Sequence, residues 1–391
     1  METEPPARPL SVVQILEKNR LTTGSVVQMF QLASGLARRG HRVAVVSRPG
    51  GDLTAACRDS AVDFVPLPLR HSFDLGSARG LARLFSQRGV ELVHAHKGIA
   101  HAISLLATFA RPSRPAIVVN RGVSFPLDPF NRLKYHFRLD AVIAVSEQIR
   151  DVLVASGGPP AERIHVVHAG VDTARFDPER VDRMAVRGEW GIGDSERFVV
   201  QVGARDWKGW RDLLEATRRL ADRFPNVRTA VVACRDEEEK SRVAGAARSL
   251  GIADRVLTIG FRMDMPEVLS AADVVADLSY AGTGITGTIR EAMALGRPVV
   301  ATAVGGNPEL VEPEVSGLLV PPRDPAAAAE AISRLLADPG GGRHMGEAAR
   351  ERVRREFSVE RRLDRIEALY RRIIAGRARG SATAGPRGRA T

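Results

Sequence analysis

A chain of 391 residues that is 44% hydrophobic and only 5% aromatic has ample apolar material for two or three globular cores, which excludes a fibrous or disordered polymer. Its formal net charge of +11 is mostly an arginine excess that attracts nucleotide phosphates or anionic headgroups. No recognised nucleic-acid-binding motif accompanies that charge, so no nucleic-acid partner is expected. No apolar run approaches the roughly 18 residues of a spanning helix, and the N-terminal residues carry acids and prolines where a signal peptide has a basic and then an apolar region. Cys57 and Cys234 lie far apart in or near apolar segments and read as two free thiols in a reducing compartment, giving a cytoplasmic expectation.

In chain order, residues 12–16 read as a strand, followed by a polar loop over 18–25 that contains Gly24. Val26, Met29, Ala33, Leu36 and Ala37 then recur at helix spacing, and Gly40 can end that helix. Residues 43–46 read as the next strand, so the chain opens with a βαβ unit and a parallel sheet is expected. A helix over 75–87 places Leu81, Leu84 and Phe85 on one side. Strands follow at 92–93, 117–119, 141–145 and 164–167, with Ser146 as the N-cap of a helix holding Ile149, Val152 and Leu153. The pattern breaks into a polar loop over 170–183 that contains Pro178. We therefore expect a first domain over 1–185 and a second over 186–358.

In the second domain, strands are expected at 198–202, 228–232, 256–259, 274–275 and 299–301. Helices are expected at 212–223, 237–247, 265–270, 288–295, 326–337 and 347–357. A last helix over 359–376 would return to the first domain, and the glycine- and arginine-rich residues 377–391 read as a basic disordered tail. The fold class is α/β, with two doubly wound domains.

The chemistry concentrates in the second domain. A loop over 282–288 (G-T-G-I-T-G-T) feeds a helix, then a glycine stop and a strand. Free N–H groups at such a helix start favour phosphate. Thr283, Thr286 and Thr288 can add hydroxyl donors, and Glu291 can accept from ribose hydroxyls. An ordinary βαβ turn with a solvent-facing glutamate stays open as the alternative. Gly305-Gly306-Asn307-Pro308-Glu309 follows a strand, at the sheet edge where open α/β sheets bind ligands, or is a tight turn with Pro308 opening a helix. Gly203, Arg205 and Lys208 follow the strand over 198–202. Two cations there can neutralise a diphosphate leaving group, or belong to a solvated loop. In the first domain, His94 and His96 share one face of an extended segment. No clustered acid or cysteine supports a zinc site there, so no metal is expected.

The assembled order resembles the retaining glycosyltransferases of family 4, the glycosyl transferases group 1, which have the GT-B fold of two Rossmann-like domains facing each other across a cleft. The strongest part is E-A-M-A-x-G-x-P-V-V-A-T over residues 291–302, then G-G-x-P-E-L over 305–310 and G-x-L-V-P-P-x-D over 317–324. Residues 36–46 resemble the family's L-A-x-x-G-H-x-V-x-V stretch, with Gly40 and His41 in place. Val145-Ser146-Glu147 and Gly170-Val171-Asp172 with Phe176 match later signatures, and Trp207-Lys208-Gly209 is similar to a subgroup that includes cell-surface glycan transferases.

The resemblance implies a nucleoside diphosphate sugar as donor and a hydroxyl of a glycan or lipid-linked precursor as acceptor. It implies no cofactor. Arg205 and Lys208 would bind the diphosphate and Glu291 the ribose. Gly24, Gly203, Gly284, Ile285, Thr286 and Glu309 would belong to the donor region. His96 matches a position near the donor sugar or acceptor and joins Arg205 and Lys208 as a catalytic residue. Four departures stand out. Thr283 replaces the family's glutamate eight residues before Glu291. Thr23-Gly24 replaces a double glycine. Arg205 and Lys208 are closer together than in many relatives. Asn120 and Arg121 stand on the acceptor side where a histidine is common. The basic charge adds an expected peripheral contact with anionic membrane on its cytoplasmic face. A phosphorylase-like enzyme of the same fold and a noncatalytic nucleotide-sugar-binding protein are the rival readings.

Overall fold

The computed structural model describes residues 8–109, 113–281 and 284–383, which form two compact units. In the first, seven strands form a parallel sheet: β1 (Ser11–Ile15), β2 (Arg42–Ser47), β3 (Asp63–Pro66), β4 (Leu92–Ala95), β5 (Ala116–Arg121), β6 (Ala141–Ala144) and β7 (Ile164–Val166). Their spatial order is β3-β2-β1-β4-β5-β6-β7. Val13 and Ile15 of β1 enter the core on one face, while Val12 enters the core on the other. This is the period-two alternation of a strand covered on both sides.

The second unit repeats the plan with β8 (Arg197–Val202), β9 (Val227–Val232), β10 (Val256–Thr258), β11 (Val274–Asp277), β12 (Val299–Thr302) and β13 (Leu318–Val320). The order β10-β9-β8-β11-β12-β13 is all parallel and is the doubly wound Rossmann order. Strand order reverses between β1 and β4 in the first sheet and between β8 and β11 in the second. The crevice at the carboxyl ends of those strands is where such sheets bind ligands.

The apolar stripe of the helix Gly24–Arg38 buries Val26, Met29, Leu32, Ala33 and Leu36. The long helix Val359–Thr383 lies against it so closely that a Cβ on Gly35 would stand 2.4 Å from Leu363 Cδ1. Arg39 pairs with both Asp364 and Glu367 along the same seam.

Two boundaries differ from the sequence expectation. The second unit takes in Ser146–Gln148 and Ala169–Ser358, so residues 169–185 belong to it rather than to the first domain. The reason is packing: Val171 and Phe176 are buried in the second unit's core, and Val171 bridges to Ser358. The final helix runs to Thr383, so residues 377–383 are helical rather than tail, and Arg377 bonds Asp140 at 2.6 Å. The tail's last residues, 384–391, lie outside the described residues. Strands β3 and β13 and the helices Asp52–Arg58, Gly98–Thr108, Pro129–His136 and Arg183–Glu189 were not anticipated.

Cys57 and Cys234 are free and buried, and burial pushes both thiols up to about 11, which keeps them protonated and poor nucleophiles. Among the described residues no helix is long and apolar enough to cross a membrane.

Candidate active site

In the second unit the site grows from the carboxyl ends of β8 and β11. Gly203, directly after β8, has φ +102°, and a Cβ there would come within 3.2 Å of the Lys208 side chain. Glycine therefore lets the lysine fold back over the strand end. Gly209 has φ +69°, and a Cβ would overlap the Leu278 carbonyl oxygen at 1.9 Å, so only glycine fits. Between them a short turn, Asp206–Lys208, aims the lysine at β11. Lys208 Nζ donates to Asp277 Oδ2 at 3.0 Å, and that carboxylate is fully buried. Gln201, buried in β8, stitches the two loops: its Nε2 donates to the Lys208 carbonyl at 3.0 Å and its Oε1 accepts from Leu278 N at 3.2 Å. Arg205 is exposed, with no side-chain hydrogen bond or ion pair to a described residue.

Residues 284–286 lead into the helix Gly287–Ala294, whose first turn has no side-chain cap from Thr286. Gly282 and Thr283 lie outside the described residues. The Gly305-Gly306-Asn307 turn clamps this loop. Gly306 N donates to Gly284 O at 2.8 Å, Asn307 Oδ1 accepts from Thr286 N at 3.3 Å, and Asn307 Nδ2 donates to Thr302 O at 3.0 Å. A Cβ on Gly306 would strike Ile285 Cγ1 at 2.5 Å. The two motifs separated in sequence are thus one structure, the second fixing the shape of the first.

Glu291 is half-buried, and burial raises its carboxyl above the ordinary carboxylate range, against the opposing pull of Arg290, Arg175 and Lys208. The structure therefore brings Lys208, Glu291 and the glycine loop together. Glu309 has another engagement: its carboxylate accepts from Glu147 N at 2.9 Å and from Gln148 N at 3.3 Å, all within this unit, at the start of the helix Glu147–Ala155.

In the first unit the equivalent strand ends hold a buried relay. His96 Nε2 donates to Gln14 Oε1 at 2.7 Å, Gln14 Nε2 donates to Tyr370 Oη at 3.2 Å, and the tyrosine hydroxyl and His94 Nδ1 share a hydrogen bond at 2.6 Å. Burial rather than this pattern keeps both imidazoles neutral. Burial holds His96 down to about 3 and His94 well below its ordinary value, the latter with His96 adding to the shift. Among the described residues no group of three His, Cys, Asp or Glu side chains could hold a metal ion. Asn120 and Arg121 end β5, both half-buried. The Asn120 Oδ1 has no hydrogen-bond partner among the described residues, and Arg121 donates to the Phe125 carbonyl. Gly24 opens the helix Gly24–Arg38 with nothing within 4 Å of where a Cβ would stand.

Sequence reasoning missed Gln14, Tyr370, Gln201 and Asp277. Three of them did carry a signal. Gln14 and Gln201 are polar residues inside otherwise apolar central strands, each the first strand of its unit, and Asp277 ends the apolar run of β11. Tyr370 gave none, because its partners are 356 and 276 residues away in sequence.

Residues 22–175 match the model of glycosyltransferase family 4, and residues 196–338 match that of the glycosyl transferases group 1. Among curated relatives, a D-inositol 3-phosphate glycosyltransferase of Mycobacteroides abscessus is 36% identical over 78% of this chain and 65% of its own length. The protein of the same name from Mycobacterium tuberculosis is 31% identical over 90% of this chain and 79% of its own. The chain thus spans about two thirds to four fifths of these relatives. A glycosyltransferase structure from Rickettsia africae superposes with a TM-score of 0.84 at 20% identity, covering 94% of this chain and 99% of that one. Anabaena HepE in complex with UDP superposes with 0.79 at 20% identity, covering 92% and 99%. Together with two Rossmann-ordered sheets and a cation-bearing strand edge beside a glycine loop, these matches place the chain in glycosyltransferase family 4, as a nucleotide-sugar-dependent glycosyltransferase of GT-B fold.

Proposed function

We propose that the enzyme transfers a sugar, with retention at the anomeric carbon, from a nucleoside diphosphate sugar to a hydroxyl of a cell-surface glycan or lipid-linked precursor. The observation that carries this reading is Lys208, fixed by buried Asp277 at the β8–β11 switch point, beside an uncapped helix start that also bears Glu291. In the transfer, the bond from the anomeric carbon to the phosphate oxygen breaks. The acceptor oxygen bonds that carbon from the same face, and its proton passes to the departing phosphate. Arg205, Lys208 and the N–H groups of Gly284 and Ile285 stabilise the growing phosphate charge, a preorganised electrostatic contribution, while Gly203 leaves room for the lysine. Glu291 receives the ribose, and Thr283 and Glu309 belong to the donor region. In the first unit, Gly24 serves the donor, His96 the reacting sugar, and Asn120 and Arg121 the acceptor. A second reading follows from the names of the curated relatives: an inositol phosphate as acceptor.

The test is a panel of nucleotide sugars offered with cell-envelope lipid extract or with D-inositol 3-phosphate, the product anomer read by NMR. Transfer with an unchanged anomeric configuration is expected, and it should persist after exhaustive chelation. An inverted product sinks the retaining mechanism. Loss on chelation, restored by a single divalent ion, sinks metal independence. Sugar release that requires inorganic phosphate would mean a phosphorylase.

Peripheral membrane contact is supported by the arginine excess and by an exposed aromatic pair on the first unit. Phe109 and Phe137 are 64% and 40% exposed, with ring centroids 6.0 Å apart and the Arg138 guanidinium 5.9 Å from the Phe137 centroid. Aromatic rings beside cations suit the headgroup region of an anionic bilayer. Co-flotation with anionic vesicles should fall as salt rises and fall further in a Phe109→Ser/Phe137→Ser variant. Failure to float at low salt counts against membrane placement.

A further inference from the structure

One residue before Glu291, Arg290 carries a charge that forms no salt bridge with any described residue. It is only 4% exposed, and its Nε and Nη1 are buried without a hydrogen-bond partner. Burial lowers its pKa, and the opposing pull of Glu291 does not form a salt bridge. An isolated buried guanidinium is among the least favourable arrangements a folded chain can hold. Its position gives the reason for it. Helical side chains lean toward the helix N-terminus. Arg290 Nη2 and Glu291 Oε1 accordingly lie 4.0 and 3.8 Å from where a Cβ of Gly287 would stand, at the first turn of the helix Gly287–Ala294.

Two more buried groups lack partners among the described residues: Thr286 Oγ1 at that turn and Ser279 Oγ after β11. The first N–H groups of the helix have no acceptor within the helix. Apart from the Glu291 carboxylate and the two hydroxyl oxygens, the turn therefore offers donors and positive charge. An anion answers that set.

The charge balance says which anion. Lys208 is already matched by Asp277, and Glu291 brings a negative charge of its own. Arg205, with a Lys208 whose charge Asp277 already offsets, would then face the two or more negative charges of a pyrophosphate. We infer that Arg290 is a donor-binding residue whose guanidinium meets the pyrophosphate of the nucleotide sugar at this helix start, with Thr286 supplying a hydroxyl. This inference rests on the nucleoside diphosphate sugar reading above. It makes the unliganded protein hold a buried charge in readiness, so ligand binding and stability are coupled through one side chain.

The experiment measures melting temperature and binding for wild type, Arg290→Met and Arg290→Lys. The probes are uridine, guanosine and adenosine diphosphates, the matching nucleosides, and inorganic pyrophosphate. Without ligand, Arg290→Met should melt higher than wild type, because an unpaired buried cation is gone. It should bind the preferred nucleoside diphosphate about ten- to a hundredfold more weakly, as expected for losing charge-assisted hydrogen bonds, while the nucleoside binds unchanged. Protection by pyrophosphate should vanish in the methionine variant and survive in part in the lysine variant. Arg290→Met melting below wild type with undiminished diphosphate affinity makes the arginine structural and overturns the assignment. Wild-type protein that binds none of the diphosphates overturns the donor reading itself, whatever Arg290 does.

Discussion

Replacing Lys208 by methionine should lower both turnover and melting temperature, whereas Arg205→Ala should lower turnover alone. The difference lies in what each cation leaves behind. Lys208 is mostly buried and is the ion-pair partner of Asp277, whose side chain is wholly inaccessible. Removing the lysine strands a carboxylate in the interior, and breaking one side of a buried pair costs about 3–5 kcal/mol. Arg205 is exposed and makes no bond to a described residue, so its removal strands nothing. Each cation should be worth about 1.5–3 kcal/mol to the departing diphosphate, or roughly ten- to a hundredfold in turnover.

The double variant Lys208→Met/Asp277→Asn separates the two roles of the lysine. It removes the stranded charge along with the cation, so melting temperature should recover while turnover stays low. Calorimetry and initial rates on the three proteins check this. Normal turnover in a folded Lys208→Met protein removes the lysine from the site. Recovery of turnover in the double variant would mean that the lysine acts only by neutralising Asp277.

The helices and strands that alternate cleanly with glycine stops were legible in the sequence. β1, β8 and the helix starting at Gly287 all show their period or their punctuation within a few residues. What escaped was short or half-buried. β3 has four residues and only partial burial, and β13 has three. The domain boundary was misplaced because a polar loop reads as a linker, although Val171 and Phe176 in that loop are core residues of the second unit. For the candidate site, motif spacing pointed to the cations, the glycine loop and Glu291 as expectations. It could not say that Lys208 would be claimed by Asp277, nor that Arg290 would be buried with no partner, because both facts depend on which side chains meet after folding. Glu309 shows the converse: a motif residue whose carboxylate is already engaged by the backbone of Glu147 and Gln148.

Glu291→Gln should make stability less dependent on pH and nucleotide affinity much weaker, the two effects having opposite signs in the wild type. Burial raises the Glu291 carboxyl above its ordinary value, so the folded protein holds this proton more tightly than the unfolded chain does. Between the unfolded and the raised folded pKa the native state binds more protons, so stability falls as pH rises through that window. The contribution is fully present below the ordinary carboxylate value and is lost above the raised one. At neutral pH the wild type therefore carries a charge penalty that glutamine lacks, and the unliganded Gln variant should melt higher. Lowering the pH should close the gap.

Binding runs the other way. Ribose hydroxyls donate, and an ionised carboxylate accepts from two of them better than a protonated one does. Wild-type affinity for a nucleoside should weaken as pH falls through the raised pKa. The Gln variant should bind about tenfold or more weakly near neutral pH and show no such pH dependence. A deoxyribonucleoside supplies the cross-check: wild type should lose affinity on removal of the hydroxyl that Glu291 accepts, and the Gln variant should lose little more, since the contact is already gone. Equal affinities of wild type and Glu291→Gln for the ribonucleoside across the pH range would take the ribose away from Glu291. The stability difference would then remain as the signature of a buried carboxyl with no ligand to receive.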